Sequence, residues 1–262
     1  MLQESYLLQE LPQVSLALTD LPKAGWRTAA VPSAPPAYEL KFLIEEYQAP
    51  RVIAWARQNL CRDPHADPSL GDAYQIFSLY FDTPALDTFH RRGPFRRSKY
   101  RLRRYGAEAV LYLERKRKAG DRVQKERTQI RADLALQQDT DGPLRWPGLW
   151  FAQQFQAHDL KPLCQVNYER AAYVGGSTED PIRLTLDRHL RCAPATEGTV
   201  QEPRKHRPLL PGKRILELKY RGRLPRLFKL AMHELRLDPR PVSKYRLSVE
   251  AWNLSSSESA TS

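Results

Sequence analysis

The tripeptide Glu-x-Lys, which sets a carboxylate and an ammonium group two residues apart, occurs three times in the sequence. The copies are Glu39-Leu40-Lys41, Glu114-Arg115-Lys116 and Glu217-Leu218-Lys219. In an extended strand, residues two apart lie on the same face, so each copy would present both charges together. Carboxylates bind hard divalent cations and ammonium groups bind phosphate, so the pattern suits a metal-bound phosphate. For any single copy, an ordinary solvated strand face is an equally good interpretation.

The excess positive charge of the chain comes from one segment. The 262 residues include 42 Lys and Arg against 30 Asp and Glu, a formal net charge of +12. Residues 91–131 contain 16 of the basic and 4 of the acidic residues, so this segment accounts for the whole excess. Such a concentration predicts a local polyanion-binding site rather than a general aid to solubility.

Alternation of polar and apolar residues predicts the strands that would carry these charges. The alternating segments are residues 39–42, 75–81, 101–105, 111–116, 183–187, 216–219 and 244–250. Apolar residues at helical spacing predict helices over 50–60, 146–155 and 224–237. The expected fold class is α+β, mainly antiparallel β. A sheet closed, or nearly closed, into a barrel with its charged face inward would form a basic channel with peripheral helices outside.

Composition divides the chain into three parts. Residues 1–36 are predicted to be a proline-interrupted lead-in, 37–254 a single folded domain, and 255–262 a disordered serine-rich tail. No run of about 18 apolar residues occurs and the first residues do not resemble a signal peptide, so neither a membrane span nor secretion is expected. The three cysteines lie far apart, which argues against a disulfide framework or a zinc site and favours a cytoplasmic location.

In chain order, the predicted strands carry a series of short motifs that resembles a known family. The motifs are Tyr38-Glu39-Leu40-Lys41-Phe42, Ser78-Leu79-Tyr80-Phe81-Asp82-Thr83, Lys99-Tyr100-Arg101-Leu102-Arg103-Arg104-Tyr105-Gly106, Leu113-Glu114-Arg115-Lys116, Tyr168-Glu169-Arg170-Ala171-Ala172-Tyr173, Arg183-Leu184-Thr185-Leu186-Asp187, Leu216-Glu217-Leu218-Lys219-Tyr220 and Ser243-Lys244-Tyr245-Arg246. The series resembles the VTC (vacuolar transporter chaperone) catalytic domain of polyphosphate polymerases, within the CYTH-like triphosphate tunnel metalloenzyme superfamily. One short motif would carry little weight, whereas the ordered series is specific.

The resemblance implies an antiparallel tunnel that binds ATP and polyphosphate and transfers the γ-phosphoryl group of ATP to a growing polyphosphate chain. The residues that it implies for catalysis are Arg101, Arg103, Lys116, Arg170, Lys219 and Lys244. Those that it implies for phosphate binding are Lys41, Arg101, Arg103, Lys116, Lys125, Arg127, Tyr168, Arg170, Lys219, Lys244 and Arg246. It implies Mn²⁺ or Mg²⁺ as the cofactor, with Glu217, Glu39 and Glu114 as ligands.

One position departs from the hydrolytic members of that superfamily, which carry Glu-x-Glu-x-Lys in their first strand. Here Ala37 replaces the first glutamate, which favours the polymerase-like branch. A hydrolase that cleaves tripolyphosphate or a nucleoside triphosphate stays an alternative, as does a polyphosphate- or nucleic-acid-binding module without turnover. The glutamates beside the lysines argue against nucleic acid, since carboxylates repel its backbone. No regulatory or membrane-spanning segment is visible, so control or transport would require a partner such as a membrane protein.

Several conspicuous residues are predicted to lie outside the site. Asp82, which follows a strand and precedes Thr83-Pro84, is predicted to cap a turn. The basic residues around Gly93-Pro94 either attract polyanions to the tunnel mouth or are simply solvated; they are Arg91, Arg92, Arg96 and Arg97. Three further basic residues are predicted to lie on the strand faces opposite the proposed tunnel: Arg104, Arg115 and Arg117. The tryptophans predicted to pack in the core or at the rim are Trp146, Trp150 and Trp252.

Overall fold

The computed structural model describes residues 14–15, 33–131, 147–200 and 202–255. Its main sheet contains eight long antiparallel strands: β1 (Ser33–Glu45), β2 (Ala73–Asp82), β3 (Ser98–Tyr105), β4 (Val110–Ala119), β5 (Arg122–Arg131), β6 (Lys161–Gly176), β7 (Pro181–Pro194) and β8 (Lys213–Tyr220). The strands are hydrogen-bonded in the order β7-β8-β1-β5-β4-β3-β2-β6, and β6 pairs back with β7. The sheet is therefore a closed barrel, which confirms the predicted fold class.

Helices and short strands surround the barrel. The α-helices within the described residues are α1 (Ala49–Asn59), α2 (Asp87–His90), α3 (Leu149–His158), α4 (Arg226–Glu234) and α5 (Lys244–Ala251). The pairings of two-residue strands are Cys61–Arg62 with β6, Arg207–Pro208 with β7, and Val14–Ser15 with Thr199–Val200. α1, α3 and α4 confirm the three predicted helices, with ends displaced by one to three residues.

The apolar face of the barrel points outward, where the helices cover it. Leu102 and Leu113 belong to one buried cluster with Phe151 of α3. On another side, Phe42 of β1 belongs to a buried cluster with Phe228 of α4. Because successive residues of a strand face opposite sides, burying these apolar residues outside turns the charged residues inward. The barrel thus has a charged interior and an apolar exterior, the reverse of an ordinary globular sheet.

The predicted strand over residues 244–250 is wrong, because this segment forms helix α5. Ser243 caps the helix, since its side chain accepts a hydrogen bond from the backbone of Arg246. The buried residues of α5 are Tyr245, Ser248 and Val249, a spacing of three and four residues that puts them on one helical face. The polar–apolar alternation in this segment therefore masked a helical pattern.

β1 begins four residues before the predicted start of the domain and contains Pro35 and Pro36. The pairing of β1 with β5 shifts register between Ala34 and Ala37. A bulge of this kind tolerates proline, which cannot donate a ladder hydrogen bond. The rest of the predicted lead-in lies outside the described residues, apart from Val14–Ser15. Trp146 and the predicted tail beyond residue 255 also lie outside them.

Candidate active site

The inside of the barrel, called the tunnel below, gathers basic side chains around a smaller number of carboxylates. The carboxylates are Glu39, Glu114, Asp187 and Glu217, and the cations facing them are Lys41, Lys99, Arg101, Arg103, Lys116, Lys125, Arg127, Arg170 and Lys244. The two sets come from α5 and from every long strand of the barrel except β2. Tyr80 lies on β2, opposite β1 across the barrel, and is one of the groups that raise the pKa of Lys41 on β1. With more cations than carboxylates, the tunnel suits a polyanion.

Glu114 is the centre of one cluster. Its fully buried carboxylate is 2.6 Å from Nε of Arg101, contacts Lys125, and lies 3.3 Å from Nε of Arg127. Burial acts to raise the pKa of Glu114, but Arg101, Lys125 and Arg103 outweigh it and hold the pKa well below its usual range. Glu114 is therefore a permanent anion that orients the surrounding cations.

Asp187 is the centre of a second cluster, on the other side of the tunnel. Arg170 donates from Nε to Oδ1 at 2.6 Å and from Nη2 to Oδ2 at 2.9 Å. Lys244 donates to Oδ2 at 2.5 Å. Burial acts to raise the pKa of Asp187, yet Arg170 and Lys244 outweigh it and lower the pKa. The bidentate geometry fixes the Arg170 guanidinium in one orientation.

Between these clusters lie two further ion pairs. Lys116 donates to Glu39 at 2.5 Å, whereas Nζ of Lys41 and Oε2 of Glu217 are 3.6 Å apart. Burial acts to lower the pKa of Lys41, but Glu217 and Glu39 raise it overall. The pKa of Glu217 is held well below normal, since Lys41 and Lys116 outweigh the effect of burial. Lys41 and Glu217 are therefore both charged at neutral pH. The pKa of Lys116 is lowered, because burial and the nearby Lys41 outweigh the effect of Glu39.

Hydroxyl groups position Arg103, which is 3% exposed. Its Nε donates to Oγ of Ser78 at 3.2 Å, and its Nη2 donates to the hydroxyl of Tyr168 at 3.1 Å. The neighbouring Arg101 donates from Nη1 to the hydroxyl of Tyr80 at 3.4 Å. Two adjacent guanidinium groups thus lie side by side in the tunnel, each held by hydroxyl groups of nearby strands.

Helix α5 packs into one end of the barrel. The buried Tyr245 of α5 lies beside Tyr80, with ring centroids 5.6 Å apart, and its hydroxyl donates to Asp82. Asp82 also accepts hydrogen bonds from the backbone of Thr83, Thr88 and Phe89. The predicted turn-capping role of Asp82 agrees with these contacts, which also fasten α5 to the barrel.

The structure places some predicted residues away from the ion-paired clusters. Arg246 donates to the backbone carbonyl of Phe89, and its guanidinium lies over the Phe89 ring. On a helix, residues two apart point in nearly opposite directions, so Arg246 faces away from the tunnel while Lys244 faces into it. Lys219 is opposite Glu39 and Arg183 in the register, at the end of the tunnel away from α5. It forms no ion pair with any residue that the structure describes.

The arginines that were assigned to the opposite strand phase do face outward. Arg115 and Arg117 both bind Glu126 on the outer face of the barrel. Arg104 is fully buried there, with its guanidinium 4.5 Å from the centroid of the Phe77 ring. Trp150 is buried in the outer cluster, and Trp252 donates to the carbonyl of Cys192. These contacts are structural.

Two tunnel residues were missing from the predicted site. Asp187 shares a strand face with Arg183 and Thr185, and that alternation was the signal that could have identified it. Lys99 precedes Arg101 by two residues, so the strand period puts both on one face. The ion pairs of Asp187 cannot be predicted from local spacing, because its partners are distant in sequence, 17 residues for Arg170 and 57 for Lys244.

The carboxylates that the resemblance assigns to Mn²⁺ or Mg²⁺ do not form a ready-made cage. Within the described residues, no group of three or more His, Cys, Asp and Glu side chains is placed to hold a metal ion. Glu39 and Glu114 accept hydrogen bonds from cations, whereas Glu217 is too far from Lys41 for a hydrogen bond. Mg²⁺ is commonly held by one or two carboxylates together with phosphate oxygens and water. Glu217 therefore fits a metal ion that binds together with phosphate.

A closed antiparallel barrel with a cationic interior organised by buried carboxylates defines a tunnel protein related to triphosphates and polyphosphates. The sequence matches the family model described as the VTC domain over residues 36–253, and the chain belongs to this family. A search of curated proteins gave no match. None of the helices in the described part of the chain is long and apolar enough to cross a membrane.

Three solved structures are similar to this chain over most of its length. The bh2851 protein of Bacillus halodurans has 14% identity and a TM-score of 0.48, over 80% of this chain and 95% of its own. The PH1819 protein of Pyrococcus horikoshii has 13% identity and a TM-score of 0.45, over 82% and 99%. The HpAC1 protein of Hippeastrum, which has a dominant triphosphatase activity, has 13% identity and a TM-score of 0.46, over 83% and 96%. The family assignment rests on the VTC match alone.

Proposed function

We propose that this protein is a polyphosphate polymerase-like phosphotransferase that moves the γ-phosphoryl group of ATP to the end of a growing polyphosphate chain inside the tunnel. The observation that carries the proposal is the enclosed set of cations around Glu114 and Asp187. An enclosed basic site of this kind matches a linear polyanion, whose phosphates can contact several cations at once. Membership in the VTC family supports the same activity.

Phosphoryl transfer requires positioning and charge neutralisation more than covalent chemistry from the protein. A terminal oxygen of the polyphosphate chain attacks the γ-phosphorus of ATP, the bond from that phosphorus to the β–γ bridging oxygen breaks, and ADP leaves. Arg101 and Arg103 neutralise charge on the γ-phosphoryl oxygens as the bonds change. Arg170, held by Asp187, grips a neighbouring phosphate.

Glu217 is the residue proposed to hold Mn²⁺ or Mg²⁺, with Glu39 beside it on β1. When bound, such an ion would supply positive charge that neutralises the phosphate oxygens. Glu114 was also predicted as a ligand, and that stays a prediction, since its contacts with Arg101 and Lys125 favour a role in orienting cations. Lys41 keeps Glu217 ionised, which is the state that a metal ion requires.

The sequence of the first strand, β1, supports a polymerase rather than a hydrolase. Ala37 stands where the hydrolytic members of the superfamily carry a glutamate, and it is buried in β1. With one carboxylate fewer, the site has fewer groups that could hold a second metal ion or activate water.

The location of the cations argues against binding of duplex nucleic acid. Arg101, Arg103 and Lys116 point into the barrel, where a duplex cannot reach them.

The experiment that tests the proposal separates the products. Purified protein is incubated with ATP and Mn²⁺ or Mg²⁺, and long-chain polyphosphate, ADP and free phosphate are quantified separately. Polyphosphate formed with equivalent ADP supports the proposal. Free phosphate without polymer identifies a hydrolase, and binding of tripolyphosphate without either product identifies a binding module.

Glu217→Gln tests the metal role within the same assay. The substitution keeps the shape of the side chain but removes its charge, so we expect turnover to fall by at least about a hundredfold while tripolyphosphate is still bound. Glu45→Gln is the matched control, because Glu45 also lies on the β1–β8 side but is close to half exposed and pairs with Lys213. Full metal-dependent turnover by Glu217→Gln would overturn the assignment.

A further inference from the structure

Lys99 is a tunnel lysine without a carboxylate partner among the described residues. It lies on β3 two residues before Arg101 and faces Lys116 on β4 in the strand register. Its Nζ donates to Oγ of Ser243, the residue that caps α5, at 2.8 Å, and lies 5.9 Å from the centroid of the Tyr245 ring. An ammonium group has three donors, so a ligand in the tunnel could accept the others.

The groups that face Lys99 are almost all positive. Burial and four neighbouring cations together lower the pKa of Lys99 to about 7, with burial the largest cause. These cations are Lys41 on β1, Lys116 on β4, Arg101 on β3 itself and Arg91 after α2. From α5, the facing groups are the Ser243 hydroxyl and Tyr245, whose own hydroxyl is bound to Asp82. An isolated buried lysine among like charges tends to give up its proton.

A bound phosphate would change the electrostatic surroundings of Lys99. A polyphosphate bound to Lys41, Lys116 and Arg101 brings negative charge to the place where Lys99 meets only positive charge. An opposite charge within about 4–6 Å favours the protonated form of a lysine. Phosphate in the tunnel would therefore favour the ammonium form of Lys99, which is the form that binds phosphate.

We propose that Lys99 is a further phosphate-binding residue, at the α5 end of the tunnel, and that it takes up a proton when a polyphosphate binds. This inference rests on the proposed function, because it requires phosphate in the tunnel. It adds to that function a coupling between ligand binding and pH. Ser243 contributes by holding the Lys99 amine at the helix cap while the tunnel is empty.

The test measures binding of inorganic tripolyphosphate, without metal or turnover, by titration calorimetry in buffers of different ionisation enthalpy. The variant Lys99→Arg keeps a positive charge at every relevant pH, while Lys99→Met removes it. Lys118→Met is the control, because Lys118 is an exposed lysine on the neighbouring strand β4. Two other tunnel lysines have lowered pKa values: Lys116, and Lys125, whose pKa is lowered to about 7. Both are unchanged in all the variants, so a difference from the wild type reports the change at Lys99.

We expect the wild type to take up more protons than Lys99→Arg on binding, by roughly half a proton at pH 7 and nearly one at pH 8. The wild-type affinity should accordingly fall more steeply above pH 7, by up to about tenfold per pH unit relative to Lys99→Arg. Lys99→Met should bind at least about tenfold more weakly at pH 6.5, and Lys118→Met should match the wild type.

The outcomes separate this inference from the proposed function. If the wild type binds tripolyphosphate and Lys99→Arg takes up the same number of protons with the same pH slope, the role of Lys99 is wrong and the tunnel function stands. If the wild type binds no tripolyphosphate, the proposed function fails and the inference fails with it. Thermal unfolding of each variant shows that a loss of affinity does not come from misfolding.

Discussion

Single carboxylates organise the cations of this tunnel. Glu114 and Asp187 are both fully buried, and each holds at least two basic side chains at hydrogen-bonding distance. Removing one partner from such a cluster leaves a buried charge without compensation, which costs far more than breaking an exposed pair. The arrangement therefore serves positioning, because a guanidinium that is already fixed loses little freedom when phosphate binds.

At the residue scale we predict that Asp187→Asn destabilises the protein by about 3–5 kcal/mol, because Arg170 and Lys244 lose their buried anion. The measurement is urea unfolding at neutral pH. Since the folded-state pKa of Asp187 is lowered, its charge stabilises the fold above the unfolded-state pKa of about 4, and this stabilisation is lost as the pH falls further. The difference between variant and wild type should therefore shrink in acid.

The control for this prediction is Glu202→Gln. Glu202 pairs with Arg191 at 3.0 Å, and both side chains are close to half exposed. Exposed ion pairs contribute up to about 1 kcal/mol. Equal destabilisation by the two substitutions would show that Asp187 is not the structural anion described here.

At the element scale, α5 determines how one end of the tunnel is built. It supplies Lys244 to the Asp187 cluster and holds Lys99 through Ser243. Its own position depends on Tyr245, which is buried against Tyr80 and bound to Asp82. A segment that had formed a ninth strand would have placed Lys244 and Arg246 on one face, whereas the helix sends only Lys244 inward.

We predict that Tyr245→Phe lowers the free energy of unfolding by about 1–2 kcal/mol, because the buried Asp82 carboxylate loses one donor while the ring still packs. Urea unfolding measures the change. Tyr47→Phe is the control, since Tyr47 is 79% exposed and should be almost neutral. An unchanged stability for Tyr245→Phe would mean that its hydroxyl does not fasten α5.

At the scale of the whole molecule, repulsion between the cations inside the barrel opposes folding. Apolar residues cover the outside under helices, and six cations of residues 91–131 converge in a confined interior: Lys99, Arg101, Arg103, Lys116, Lys125 and Arg127. Crowded like charges repel one another, which lowers the stability of the empty protein. A polyanion that neutralises them should stabilise the fold as well as bind.

We predict that tripolyphosphate at about a hundred times its dissociation constant stabilises the protein by about 2.7 kcal/mol, seen as a higher Tm. Sulfate at the same ionic strength should give a smaller shift, because it cannot span several clusters. Arg101→Gln should reduce the tripolyphosphate shift by weakening nucleotide and phosphate affinity. Equal shifts with sulfate and tripolyphosphate would indicate general screening rather than a tunnel site.

The sequence by itself determined the faces of most strands, the segment that carries the charge and the family. These properties are local: alternation with period two depends only on neighbouring residues, so Glu39 with Lys41 and Arg101 with Arg103 could be placed on common faces. The three main helices were predictable for the same reason. At residues 244–250 the local pattern fits both a strand and a helix. The segment forms a helix, which buries Tyr245, Ser248 and Val249 on one face.

Only the tertiary structure decided which charges meet. The pairing of Asp187 with Arg170 and Lys244, and the isolation of Lys99 among cations, depend on the order in which eight strands close and on where α5 enters the barrel. These are contacts between residues far apart in the chain, and periodicity carries no information about them. Burial then sets the outcome, because the same lysine is an ordinary cation in water and a titrating group among like charges.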